Sequence, residues 1–139
     1  MAEETIKHLE FIQTIITRMN TNSFQIKGWC VTIISALLAI YASTKNETFI
    51  LICLVPTIIF WMLDSYYLMQ EKKFRGLYKD VAGISDTPQK LKVFEMSPNL
   101  YKKGEYSYFN VLKSSTIISL YLSLSFLIIG VYYYLTRCV

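Results

Sequence analysis

One carboxylate stands inside an apolar run: Asp64, in Trp61-Met62-Leu63-Asp64-Ser65-Tyr66. An ionisable group at membrane depth is a functional candidate by default, because an unpaired charge in hydrocarbon is costly. Placed near the end of its run, Asp64 equally suits a hydrated carboxylate paired with Lys27 or with a tyrosine hydroxyl. Both readings stay open. A second set is Lys7, Phe11, Thr14 and Arg18, spaced i, i+4, i+7 and i+11. On a helix, Lys7 and Arg18 fall within about 20° of each other. Cations neutralise phosphates and an aromatic ring can stack on a base. The stripe therefore suits a nucleotide-derived anion, although a solvated face beside lipid headgroups needs no ligand. A third set is Thr116, Ser119 and Ser123, with Gly130 on the same helical face and Ser115 and Ser125 nearby. Small hydroxylated residues let helices approach closely, and they also suit the lining of a narrow aqueous path. Ser35, Ala39 and Ser43 form a similar ladder earlier in the chain.

Catalysis finds little support. The chain holds no glycine-rich phosphate loop, HExxH or nucleophile elbow, and its single histidine, His8, has no evident serine or aspartate partner. An intramembrane hydrolase built on Asp64 would need more spans to enclose its cavity. The three cysteines, Cys30, Cys53 and Cys138, are odd in number and lack CxxC spacing. Cys30 and Cys53 lie in apolar runs, where a thiol packs as a small hydrophobe. No disulfide, metal site or cofactor is expected, and the chain reads as something other than an enzyme.

The elements that must position these residues follow from an unusual composition. Of 139 residues 53% are hydrophobic and only 17% charged, against about a quarter charged in ordinary soluble domains. Trp29–Ala42, Phe49–Leu63 and Ile117–Leu135 contain no Lys, Arg, Asp or Glu. A spanning helix needs roughly 20 mainly apolar residues, and the first two runs extend through Gln25–Gly28 and Ser65–Met69. Three transmembrane helices result. Glu3 and Glu4 open the chain and the first apolar run starts only at Trp29, so a cleavable signal peptide is not expected.

Basic residues stay preferentially on the cytoplasmic side. Twelve of the fourteen cations fall before the first span or between the second and third; the outer loop has only Lys45 and the tail only Arg137. The N-terminus is thus expected in the cytoplasm and the C-terminus outside. Trp29, Trp61, Tyr66, Tyr67 and Tyr132–Tyr134 sit near span ends, as an aromatic belt requires.

Ahead of the first span, Ile6, Leu9, Ile12, Ile16 and Met19 recur at three- and four-residue steps, the mark of an amphipathic helix. Asn20, Asn22 and Gly28 should weaken it and favour a bend before the membrane. Pro56, inside span two, predicts a kink and a gating hinge. After span two, Tyr67, Gln70, Phe74, Leu77 and Val81 continue the helical period to about Gly83. Ser85-Asp86-Thr87-Pro88 reads as a turn, and Leu91, Val93 and Met96 as a short strand or irregular packing. A loop-rich piece of about 30 residues cannot bury much core alone. It must lean on its own helices or on neighbouring subunits.

The expected fold is an all-α membrane protein: three transmembrane helices plus a cytoplasmic amphipathic N-terminal helix, oligomeric. Its segments are 1–25 (N-terminal helix), 26–69 (two spans and a short outer loop), 70–113 (helix extension and basic connection) and 114–139 (third span and tail).

Two stretches carry a family likeness. One is His8-Leu9-Glu10-Phe11-Ile12-Gln13 through Arg18-Met19-Asn20, then Asn22-Ser23-Phe24-Gln25-Ile26-Lys27-Gly28-Trp29. The other is Phe60-Trp61-Met62-Leu63-Asp64-Ser65-Tyr66-Tyr67-Leu68, with Gln70-Glu71-Lys72 and Phe74-Arg75-Gly76-Leu77-Tyr78. Together they resemble a family of small bacterial multi-pass membrane proteins, the effectors encoded beside nucleotidyltransferases in anti-phage defence, and most closely those of Hailong-type systems. The resemblance covers residues 8 to 80 and, beyond them, only the placing of the last span. It implies a homo-oligomeric channel, a tetramer, in the bacterial inner membrane. It further implies N-terminal helices clustered around an inhibitor, a single-stranded DNA oligomer or other nucleotide made by the partner nucleotidyltransferase. Loss of that inhibitor would open the channel and depolarise the cell. The Lys7/Phe11/Thr14/Arg18 stripe is where such a ring would have to bind. The rival expectation is a non-conducting membrane anchor or assembly partner for a cytosolic defence enzyme.

Overall fold

The computed structural model of the chain describes residues 2–138, and every described element is helical. Helix α1 is Glu3–Thr44, α2 is Thr48–Ile52, α3 is Leu54–Val81, α4 is Tyr108–Leu112 and α5 is Ser115–Arg137. Two 3-10 turns, Pro98–Leu100 and Gly104–Tyr106, interrupt the connection before α4. Three stretches are long and apolar enough to cross a membrane: Glu3–Thr44, Thr48–Val81 and Ser115–Arg137. The all-helical architecture and the three candidate spans thus agree with the sequence.

The helix continues through Asn20, Asn22 and Gly28, so no break marks the point where a bend was expected. Helix propensity is a weak local term, costing about 1 kcal/mol at a glycine, and the flanking turns outweigh it. Span two does break, but at Cys53 rather than at Pro56. Proline has no N–H to donate to the carbonyl four residues earlier, here that of Ile52. Cys53 instead closes a tighter turn onto Ile50 O (3.2 Å), and the Thr57 hydroxyl donates to Cys53 O (2.8 Å). The connection holds no strand among the described residues. Leu91 and Met96 pack irregularly against a buried cluster instead.

The chain divides into two compact units. The first joins the chain up to Ser23 with Tyr66–Val111. Its core is Ile12 and Ile16 from α1, Phe74 and Leu77 from α3, and Tyr101 from the connection. Leucine 77 and Ile12 are completely buried. The connection therefore finds its core on its own helices. Helix α3 ends where Gly83 takes a left-handed φ of +73°, with Gly83 N–H on Asp80 O and Ile84 N–H on Lys79 O. This paired closure satisfies carbonyls that the helix end leaves open.

The second unit joins Phe24–Ser65 with the chain from Leu112 onward. Each span turns one narrow stripe inward: Ile26, Cys30 and Ile34 from α1, Thr57, Asp64 and Ser65 from α3, and Ile117, Tyr121 and Ile128 from α5. Helix α2 packs on α5, burying Ile50. The remaining faces expose Trp29, Val31, Val55, Ile58, Ile59, Phe126, Leu127 and Ile129. In water so much apolar surface would aggregate; in hydrocarbon it is solvated, while Thr57, Asp64 and Ser65 are buried within the bundle.

Candidate functional site

Asp64 is fully buried in the second unit, and it meets both partners that the sequence offered. Lys27 Nζ lies 2.6 Å from Asp64 Oδ2, and the Tyr121 hydroxyl donates to the same oxygen at 3.0 Å. Three helices converge on one carboxylate: α1 supplies the cation, α3 the anion and α5 the hydroxyl. Helical spacing explains how. Lys27 follows Ile26 and precedes Cys30 on the inward stripe of α1, and Tyr121 continues the Ile117 stripe of α5 by one turn. The lysine side chain remains 28% exposed while the aspartate is at 0%, so the ammonium keeps partial access to solvent along its flexible stem. Such an arrangement orients and clamps. It ties three helices to one buried carboxylate.

The N-terminal stripe lies in the first unit and is exposed throughout. Lys7 pairs with Glu3 at 3.0 Å, both side chains being well exposed. An exposed pair of this kind contributes about 0–1 kcal/mol. Phe11 is 56% exposed, with one side of its ring near Phe94 (centroids 6.1 Å apart). Thr14 donates its hydroxyl to Glu10 O at 2.9 Å, and Arg18 is exposed. The α-helical geometry puts Lys7 and Arg18 about 16 Å apart along the axis. The four residues share one accessible face.

Thr116, Ser119, Ser123 and Gly130 are likewise exposed, on the face of α5 turned away from Ile117, Tyr121 and Ile128. Ser123 bonds back to Leu120 O. A side chain added at Gly130 would meet nothing within 4 Å. The ladder of Ser35, Ala39 and Ser43 is also exposed. Neither set packs within its own chain. Cys30 and Cys53 are buried free thiols, Cys138 is exposed, and the described residues hold no cluster of potential metal ligands.

Two contacts escape a reading by spacing alone. His8 is buried, and its Nε2–H donates to the Glu95 carbonyl at 2.9 Å, 87 residues away. Phe94, held at a left-handed φ of 60°, sets its ring 5.8 Å from the imidazole. His8 thus pins the connection to α1. At the other side of the connection, Asp80 accepts from the Tyr101 hydroxyl and from the Gln89 N–H. Burial, and then the adjacent Asp80 carboxylate, pushes the Tyr101 hydroxyl far above its usual range, so it stays a protonated donor. No local motif marks either contact, because both depend on how an irregular segment folds back. Tyr121 left a fainter trace: a hydroxyl on an apolar helix stripe needs a partner, and Asp64 is the sole carboxylate within residues 26–44, 48–69 and 114–139.

Comparison with protein families, with curated proteins and with solved structures finds no match to this chain.

Proposed function

We propose that the chain is the subunit of a gated ion-conducting assembly in the bacterial inner membrane, an effector of anti-phage defence controlled by a nucleotide-derived ligand. The observation that carries this reading is the outward turn of the α5 hydroxyl face. Thr116, Ser119, Ser123 and Gly130 are exposed in a span whose inward stripe is already filled. Hydroxyls on an unpacked face favour close approach of a second helix or a watery lumen, and several copies around an axis supply both. The N-terminus is cytoplasmic in this reading, which the placement of cations supports, and the resemblance over residues 8–80 supports the defence role.

Ligand control resides at Lys7, Phe11, Thr14 and Arg18. One chain presents only two cations there, but a ring of subunits multiplies them, and multivalency turns a weak contact into a strong one. Gating then requires the ligand to bind closed and open assemblies unequally, since equal affinity shifts nothing. The same small-residue face also suits tight packing in a non-conducting anchor for a cytosolic enzyme, and conductance separates the two. Purified protein in planar bilayers is expected to conduct, and single-stranded DNA oligomers to change the open probability. Silence with and without oligomers would overturn the channel. Replacing Lys7 and Arg18 together by Glu is expected to abolish oligomer binding; unchanged affinity would remove the stripe from the site.

A further inference from the structure

A cleft of about 440 Å³ opens in the first unit between α1, the C-terminal half of α3 and the second 3-10 turn. Its cationic wall is Lys72, Arg75 and Lys79, spaced i, i+3 and i+7 on α3 and so on one face. Opposite charge on the lining is limited to Glu105, and Glu71 beside it pairs with Arg75, which leaves an excess of one positive charge. Arg75 is held in place by Glu71, with Nε at 2.8 Å and Nη2 at 2.7 Å from one carboxylate oxygen. A guanidinium carries five N–H donors, so three remain for another partner. The rest of the lining differs in kind: Tyr78 and Tyr106 offer rings, Ile16 and Ile84 apolar surface, and Gln13 an amide that both donates and accepts.

From these walls we infer that the cleft is a binding site for a phosphorylated small molecule with a planar ring, of nucleotide class, separate from the N-terminal stripe. Lys72, Lys79 and Arg75 take the phosphate, as ammonium and guanidinium groups do. The ring lies against tyrosine and isoleucine, and its polar edge or sugar hydroxyls meet Gln13 and Glu105. The volume lies within the few hundred to thousand Å³ typical of small-ligand sites. Glu105 and the aromatic wall argue against bare phosphate or a lipid headgroup, neither of which uses a ring surface. Tyr106 is a protonated donor here, its hydroxyl raised by burial and then by Glu105. It also closes on Gly76, where a Cβ would stand 2.6 Å from its oxygen. A side chain at position 76 would have to push the hydroxyl end of Tyr106 aside.

The site belongs to the first unit alone, so the inference holds whether or not the assembly conducts. It is tested with the full-length protein in zwitterionic nanodiscs, titrated with adenosine monophosphate, adenosine and inorganic phosphate. The monophosphate is expected to bind at least tenfold more tightly than adenosine or phosphate. Lys72→Gln with Lys79→Gln is expected to weaken it at least tenfold, and Gly76→Ala severalfold. No saturable binding of the monophosphate overturns the site, as does binding that survives the double Gln variant with the fold intact by circular dichroism. Equal affinity for phosphate and monophosphate overturns the ring. In nanodiscs containing an anionic phospholipid the monophosphate should still bind; competition by the lipid down to no binding would assign the cleft to headgroups instead.

Discussion

At the scale of single residues, the balance around Asp64 is set by desolvation. A buried carboxylate is stable only when its partners replace the lost hydration, and removing one partner of a buried pair costs about 3–5 kcal/mol. Lys27→Met should therefore destabilise the detergent-solubilised protein by an amount near that range, read as a drop in midpoint temperature or denaturant midpoint. Asp64→Asn is a milder change, because the amide oxygen still accepts from Lys27 and Tyr121. Tyr121→Phe removes one hydrogen bond to a charged group, worth about 1.5–3 kcal/mol. The order Lys27→Met, then Tyr121→Phe, then Asp64→Asn is the test. If Asp64→Asn were the most damaging of the three, the carboxylate would be doing more than pairing. Combining Lys27→Met with Asp64→Leu should recover much of the loss, since no charge is then stranded.

At the scale of elements, the clamp from α3 to the connection carries a pH dependence whose sign follows from Tyr101. Its hydroxyl is raised in the folded protein, by burial first and Asp80 second, above the ordinary value of 10.0. A group raised on folding stabilises fully below its unfolded value and loses that contribution as pH rises through the folded one. The connection should therefore hold up to about pH 10 and loosen above it, as read by limited proteolysis between Gly83 and Ser107. Tyr101→Phe should loosen it already at neutral pH and flatten that alkaline response; a profile identical to the unsubstituted chain would remove the clamp. A parallel case is His8→Ala, expected to expose the Leu91–Met96 segment to protease with no effect on the spans.

How far these elements were legible in the sequence depended on whether a periodic pattern carried them. The three spans were, because charge-free runs are a strong signal, and so was the end of α3 near Gly83. Pro56 pointed to a disturbance in span two but displaced it by three residues, since the missing N–H frees a carbonyl upstream of the ring. The continuity of α1 through Asn20 and Gly28 was not legible, because propensity is local and the neighbouring turns decide. Of the candidate residues, Asp64, Lys27 and the exposed stripe could be placed by helical spacing. The packing of Tyr101 on Asp80 and of His8 on Glu95 could not, as each joins segments whose fold-back leaves no period.

At the scale of the whole molecule, the unanswered surface is the hydroxyl face of α5. The inward stripe of Ile117, Tyr121 and Ile128 completes the chain's own bundle, so the face bearing Ser119 and Ser123 contributes nothing to the stability of one copy. Surface substitutions away from specific contacts usually shift stability by about 0.5 kcal/mol or less. Ser119→Leu with Ser123→Leu should accordingly leave the midpoint temperature of the isolated chain nearly unchanged. Two positions on this face lie about one turn apart, so two leucines would build a continuous apolar ridge. If the face lines a lumen, that ridge excludes water and blocks ions by dewetting. Conductance per assembly should then fall more than about tenfold while the assembly keeps its size by mass photometry. If the face is instead a packing surface between copies, the bulk separates the helices and the assembly falls apart. Full currents from an intact assembly would place the stripe against lipid, and the pore would have to be sought along Ser35, Ala39 and Ser43 of α1, where the other exposed small-residue ladder lies.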